Sequence, residues 1–557
     1  MTKIKSFFPE SVGVFISLLF ALVVTGGFSE FFSCLISLLT SVFLIIRISK
    51  SKRMAFRLNI TSITVLLIFL FYLLSCFYAV DAGMAVIGLM KFSPVPLYML
   101  LLMQYEKAKA ELLDFLPYLC LALGIISFVL MWIPSSRFLV EGRLAGFFEY
   151  PNTFAMFLLI GELLCVSKEK LKPADIIISV LLFTLVAATM SRAVFVLALL
   201  SNFLILFLKK GKTIKIILGG IVIITAVLIA VLYPVLSVHP LFGRFLSLSV
   251  FESTFAGRLL YYTDALPVIL RHPFGLGYLG YYYLEQSLQT GVYAVRFVHN
   301  DLLQLMLDVG WIPALGFLGA FGSAFFRKDF PLSKKIILGA FLLHILFDFD
   351  LQFSAMWMIL LLFLNTDSGK ETEIRKNRAY PVFLIGSLGI VCAYFSVALG
   401  LDFFMNPAAS YSLYGANTQV KTELLILEED ADRQEVLADE ILSSNDYVQI
   451  AYSAKAKKAY SEGDFEQLIR YKHKIFEIAP FAYDEYEEYA YMLISGIELY
   501  RQTGDRNSAE ICREELLKIE ERLLDLKDRL SYFGRIIDDQ PTTELPDELK
   551  DTIRSYR

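Results

Sequence analysis

The sequence predicts an all-α, polytopic membrane protein of about 12–13 spans, with a charged helical domain after the last of them. Three observations carry that expectation. Hydrophobic residues make up 56% of the chain and mean hydropathy is +0.59, beyond what a soluble protein carries. Apolar runs of roughly 17–25 residues, the length of a bilayer-crossing helix, recur from residue 11 to residue 400. After residue 400 hydropathy falls and long charged helical patterns take over.

Taken in order, spans are expected near 11–27, 31–47, 58–79, 84–103, 115–133, 151–166, 174–190, 193–208, 216–236, 300–326, 336–349, 351–365 and 379–400, with 336–365 alternatively one bent hairpin. The short loops "RISKSKRMAFR" (47–57), "SKEKLKP" (167–173), "KKGKTIK" (209–215), "RKDFPLSKK" (327–335) and "KETEIRKNR" (370–378) are rich in Lys or Arg. All five fall on one side if every span is real, and that side is cytoplasmic by the positive-inside rule. The long loop 237–299 and everything after 400 are then extracytoplasmic. Lys3 and Lys5 precede the first apolar run as in a signal peptide, but no small-residue cleavage site follows, so this run reads as a retained span.

The net charge of −4 hides a split. From 401 onward 33 acidic face 19 basic residues, a net of −14, which leaves 22 acidic and 32 basic, a net of +10, in the membrane part. An acidic tail argues against nucleic acid as a partner. The six cysteines are scattered singly with no CxxC pair, so neither a zinc site nor a disulfide framework is readable.

In the tail, "YVQIAYSAKAKKAYSEGDFEQLIRYKHKIFEIAP" (447–480) reads as two helices turning at Gly463-Asp464 and closed by Pro480. A second unit turns at Gly504-Asp505, 41 residues later. These pairs resemble tetratricopeptide (TPR-like) units loosely, since that repeat runs to about 34 residues. Two readings stay open: a small helical bundle docked on the membrane part, or a platform for a partner protein or a growing product.

A chain this apolar places few charges beside its spans, so each asks for a reason. Arg192, in "ATMSRAVF", lies at the turn between two spans and reads either as a snorkelling interfacial arginine or as an anion ligand. Arg258 sits in a partly helical stretch of the long loop. His299 ends that loop in "RFVHNDLLQLMLDVGW" (296–311), where Asn300 or Asp301 caps the next helix. His344 and Asp348, four residues apart, share a helical face and read as a hydrogen-bonded structural brace, with a catalytic role as the alternative.

The order of "EGRLAGFFEYPNTFAMFLLIG" (141–161), "MSRAV" (190–194), "GRLLYYTDAL…HPFGLGY" (257–278), "VHNDLLQLMLDVGW" (298–311) and "LLHILFDFDLQF" (342–353) resembles the O-antigen ligase/polymerase superfamily of bacterial envelope glycosyltransferases, the Wzy and WaaL type. The resemblance covers about residues 60–365; the tail lies outside it. It implies an enzyme of the bacterial inner membrane that moves a glycan from an undecaprenyl-pyrophosphate carrier to a hydroxyl of a glycan, lipid or protein acceptor. It implies no metal and no cofactor. Arg192 and Arg258 would hold the pyrophosphate, since a guanidinium fork matches phosphate oxygens in pairs. His299 would act as general base, a task that suits an imidazole. Arg143, Asn152 and Asn300 would line the substrate site, and Tyr281 and Tyr282 would stack on sugar rings. A flippase for the same lipid-linked glycan and a protein-directed oligosaccharyltransferase are the competing functions.

Overall fold

A computed structural model describes residues 11–208, 253–537 and 544–557. The expected span at 216–236, the loop 209–215, and Lys3 and Lys5 lie outside the described residues. The membrane part runs α1 (Val12–Val23), α2 (Glu30–Ser51), β1 (Met54–Leu58), α3 (Ile60–Ser75), α4 (Ala82–Phe92), α5 (Pro94–Leu102), α6 (Ala108–Leu130), β2 (Leu139–Val140), β3 (Arg143–Leu144), α7 (Pro151–Val166), α8 (Pro173–Ala188) and α9 (Arg192–Leu208). It continues with α10 (Ser253–Arg271), α11 (Gly280–Leu288), α12 (Asp301–Val309), α13 (Trp311–Phe325), α14 (Leu332–Ile345), α15 (Ser354–Phe363), β4 (Lys370–Ile374) and α16 (Ala379–Phe403). Among the described residues, Glu30–Ser51, Ala82–Leu102, Ala108–Leu130 and Ala379–Phe403 are long and apolar enough to cross a bilayer, and shorter apolar helices pack among them.

Two departures from the expected spans have local causes. The 84–103 run bends at Ser93, where Pro94 opens a new helix because it lacks the N–H that α4 would need. The 300–326 run breaks at Gly310, whose φ of +85° ends α12 and starts α13. The 336–365 stretch is two helices, α14 and α15, joined by residues 346–353, in which Asp350–Gln352 form a single 3-10 turn. Two short antiparallel ribbons also qualify the all-α expectation: β1 with β4, and the β2–β3 hairpin. In the hairpin, Glu141 and Gly142 both take positive φ, as a two-residue turn matched to strand twist requires.

The bundle has two distinct ends. At one, β1 pairs with β4, Met54 opposite Ile374, and Arg57 bridges Glu371 at 2.6 Å. Lys109 reaches the Leu364 carbonyl at 2.6 Å and Arg327 the Asn365 amide oxygen at 3.0 Å. Three of the cation-rich loops thus meet at one end. At the other end Arg296 donates to Glu30 at 2.7 Å, Tyr278 bonds the same carboxylate, and Lys91 donates to the Phe28 carbonyl at 2.9 Å. This network ties the segment after α10 to the first residue of α2.

The tail starts from this second end. α17 (Pro407–Leu413), α18 (Thr418–Leu427) and α19 (Ala431–Leu442) fold back on the membrane part. Asn445 donates to Asp81 at 3.0 Å and the Tyr414 hydroxyl to the Gly83 carbonyl at 2.9 Å. Leu425, Ile441 and Ala451 join the same buried apolar cluster as the membrane helices. Beyond them α20 (Gln449–Ser461) and α21 (Phe465–Ile478) turn at Gly463, and α22 (Tyr483–Thr503) and α23 (Arg506–Arg529) turn at Gly504. Both glycines hold positive φ, +76° and +82°. α24 (Tyr532–Ile536) and α25 (Asp547–Ser555) complete the tail.

Gly310 is the sharpest backbone constraint in this frame, because a Cβ there would lie 2.3 Å from the Pro273 carbonyl oxygen in addition to the positive φ. Gly310→Ala is therefore expected to cost about 1–3 kcal/mol, read as a lower melting midpoint of the detergent-purified protein.

Candidate active site

The tail-bearing end gathers the polar residues of four separate segments on one buried carboxylate. Asp348 lies in the 346–353 connection and its side chain is 2% exposed. Its Oδ1 accepts from the Tyr150 hydroxyl at 2.8 Å and from the Phe349 N–H at 3.0 Å. Its Oδ2 accepts from the Asn152 amide at 2.8 Å and from Arg258 at 3.4 Å. His299 Nδ1 stands 3.4 Å from Oδ1. Burial opposes charge on this carboxyl, but Arg258, then His299 and His344, hold it well below the usual carboxylate range. Asp348 is an anion over the whole neutral range.

Each partner is placed by its own local structure. Arg258 projects from α10, its side chain 16% exposed. His299 holds φ +51°, which turns the chain sharply out of the 289–298 segment and into α12. Asn300 is the cap: its Oδ1 accepts from the N–H groups of Leu302 at 3.1 Å and Leu303 at 3.0 Å, and its amide donates to the Leu346 carbonyl at 2.9 Å. Asp301 instead accepts from the Leu351 N–H at 2.8 Å. The His299 ring sits edge-on to Phe349 with 4.8 Å between centroids, and the Tyr262 hydroxyl bonds its carbonyl at 2.7 Å. The imidazole is 23% exposed, enough for a substrate hydroxyl to reach it.

Asn152 sits in the first turn of α7, started by Pro151, whose fixed φ suits that position. Its Oδ1 accepts from Arg143 at 2.7 Å, while Arg143 Nε donates to the Thr189 carbonyl at 3.1 Å. Arg143 thereby joins the β2–β3 hairpin, α7 and the turn that leads into Arg192. Arg192 is the first residue of α9 and is partly buried, following Met190 at φ +52°. Glu149, directly before Tyr150, is also left-handed at +55°. Non-glycine residues in that region carry strain and tend to mark functional sites; here they stand at the entries to Tyr150, Arg192 and α12.

The sequence-based pairing of His344 with Asp348 is corrected. α14 ends at Ile345, so Asp348 leaves the shared helical face. His344 Nδ1 pairs with Asp350 at 2.5 Å, and Asp350 also accepts from Thr153 at 2.6 Å. His344 is buried and bonds Asp350 in place of Asp348. Asp348 is part of the site, together with Tyr150 and Tyr262, which the sequence reading passed over. The run "FDFD" (347–350), two carboxylates spaced by aromatics, marks Asp348 in the sequence, whereas nothing local marks the two tyrosines.

The two tyrosines differ. Tyr281 is 2% exposed and packs with Ala265, Val268 and Leu276, so its ring offers little face to a sugar. Tyr282 is exposed. Beside them Glu285 is buried and accepts from the Val295 N–H at 3.2 Å. Burial pushes its carboxyl up to about 9, against that single stabilising N–H.

The fold and this cluster define an integral-membrane protein with an arginine- and histidine-bearing polar site where its helices end. Residues 177–318 match the family model described as O-antigen ligase, which supports membership of the O-antigen ligase superfamily. The match runs from α8 to α13 and contains Arg192, Arg258, His299 and Asn300, while Arg143, Asn152, Asp348 and the tail lie outside it. A comparison with curated proteins finds no match.

Glu285 gives a pH test. Its folded pKa lies above the ordinary 4.5, so its contribution to stability is intact below about 4.5 and is lost as pH rises toward 9. Glu285→Gln, which removes the titration, should match wild type in melting midpoint near pH 4.5 and exceed it increasingly from pH 7 to 9.

Proposed function

We propose that the chain is a membrane glycosyltransferase of the O-antigen ligase/polymerase type, moving a glycan from an undecaprenyl-pyrophosphate donor to an acceptor hydroxyl. Residues 1–400 form the transferase with 237–299 as its catalytic loop, and 401–557 form an extracytoplasmic TPR-like helical domain. The cation-rich end faces the cytoplasm of a bacterial inner membrane, so the site faces outward. The observation that supports this reading best is the meeting of Arg258 and His299 on Asp348 at the end opposite those cations.

The chemistry follows from that geometry. Asp348 beside Nδ1 favours the tautomer with its proton there, leaving Nε2 to accept one, and it stabilises the imidazolium once formed. The acceptor O–H bond breaks and its proton passes to Nε2 of His299. The acceptor oxygen forms a bond to the anomeric carbon, and the bond from that carbon to the pyrophosphate oxygen breaks, its electron pair leaving with the phosphate. Arg258 turns its remaining N–H groups to the developing charge, where scarce water makes each bond worth more. Arg192 takes the second phosphate, and its approach turn is tied to the site through Thr189, Arg143 and Asn152. Asn300 mounts His299 on α12. Tyr282 is the more open tyrosine for a sugar face. Arginine here supplies the charge that a divalent cation supplies in many other transferases, and the acceptor is a glycan, lipid or protein hydroxyl.

The test uses purified protein, the lipid-pyrophosphate-linked repeat unit of the native host, and chelator, with glycan length and free lipid pyrophosphate read by mass spectrometry. Wild type should consume the donor undiminished by chelator, and His299→Ala should lose about 10²–10⁴-fold in rate. Equal rates would remove His299 from the chemistry; a donor untouched by wild type would refute transfer. Asp348→Asn, which keeps the shape but loses the charge, should lower turnover by at least about 10²-fold in the same assay.

A further inference from the structure

The segment 287–298 connects α11 to His299, and the end of the tail grips it. Arg529, the last residue of α23, donates through Nε to the Gln289 carbonyl at 3.0 Å and through its amino group to the Ser287 carbonyl. The Ser531 N–H donates to the Thr290 carbonyl at 2.8 Å. Gly534 then lies so close that a Cβ there would come 2.1 Å from the Thr290 oxygen and 2.9 Å from the Gly291 Cα. Only glycine fits that approach, and Gly291 faces it under the same constraint at 2.6 Å.

The gripped residues in turn hold the helix of Arg258. Asp264 on α10 accepts from the Thr290 N–H at 3.0 Å, from the Thr290 hydroxyl at 2.7 Å and from the Tyr293 hydroxyl at 3.1 Å. Ile537 completes an apolar cluster with Ala256, Leu260 and Tyr293, on the stretch of α10 that flanks Arg258. Tyr261 packs on Tyr293 at 4.6 Å and stands 6.1 Å from the His299 ring. One clamp therefore contacts both the helix that presents Arg258 and the segment that delivers His299.

We infer that residues 529–537 are a strap that sets the position of Arg258 against His299, making Arg529 and Gly534 positioning residues for anion binding at this site. The inference rests on the transferase reading for its purpose, though the mechanical linkage stands on the contacts alone. A tail of 157 residues is then part of the site's scaffold, and loosening its far end reaches the site without altering any residue that touches substrate.

The experiment uses the full-length protein in detergent with three variants: Arg529→Ala, Arg529→Lys and Gly534→Val. Hydrogen exchange is followed by peptide, and binding of undecaprenyl pyrophosphate is followed by its effect on the melting midpoint. In Arg529→Ala and Gly534→Val, amides of Ser253–Arg271 should exchange about ten-fold faster while those of Gln449–Ile478 keep wild-type rates. The apparent Kd for undecaprenyl pyrophosphate should rise about five-fold or more, and Arg529→Lys should recover most of both effects, since one ammonium still reaches the carbonyls. Binding is compared at a temperature where each variant is still folded, so that an affinity shift separates positioning from general damage. Unchanged exchange in 253–271, or acceleration spread equally over the tail and spans, would overturn the strap. If wild type binds undecaprenyl pyrophosphate but transfers nothing, the transfer reading fails while the strap is judged on exchange and affinity.

Discussion

The site-bearing end of this protein depends on one buried anion. Asp348 is almost inaccessible, yet it is charged, and a charge so placed is tolerated only when donors surround it. Tyr150, Asn152, Arg258 and a backbone N–H supply them, and the His299 ring stands 3.4 Å away, so four parts of the chain converge on it. The requirement runs both ways. The carboxylate cannot stay buried without those donors, and the donors have no reason to converge without the carboxylate. The end of α14 at Ile345 makes this possible, because an α-helix continued past that residue would have turned Asp348 elsewhere.

Arg143 extends the arrangement outward. By bonding both Asn152 and the Thr189 carbonyl, it couples the entry of α7 to the turn before Arg192. Left-handed residues at Glu149, Met190 and His299 give these turns their sharpness, and the surrounding bonds hold conformations that such side chains otherwise avoid. From the opposite direction the tail end fastens the long segment, through Arg529 and Gly534, to Asp264 on α10. The site is thus braced from the membrane helices on one side and from the acidic tail on the other.

Much of this was legible in the sequence because it depends on composition and short-range pattern. The apolar runs mark the helices, the Gly463 and Gly504 turns fall where the tail hairpins reverse, and Asn300 caps the helix after His299. Arg258 and His299 stood out as polar residues in a chain that has few. What stayed hidden depends on long-range contact. No periodicity shows that Asp348 faces position 258, and a four-residue spacing suggested His344 as its partner until the helix end intervened. The breaks at Ser93 and Gly310 hide inside runs whose hydropathy is continuous. The grip of residue 534 on residue 291 leaves only a pair of glycines in the sequence, which resemble any others.

The ribbon at the cation-rich end carries a consequence for biosynthesis. β1 is made early, yet its partner β4 follows more than 300 residues later, with Met54 waiting for Ile374. At about 5–20 residues per second, synthesis of the intervening chain takes roughly 15–60 s. Throughout that interval the N–H and C=O groups along one edge of β1 have no strand to meet, while helix after helix enters the bilayer. Closure of the bundle is therefore a late event in the life of the nascent chain, and the first and last thirds of the membrane part are fastened together only when nearly all of it exists. An exposed strand edge invites pairing with other chains, so this protein passes through a vulnerable period whose length is set by the order of its own elements.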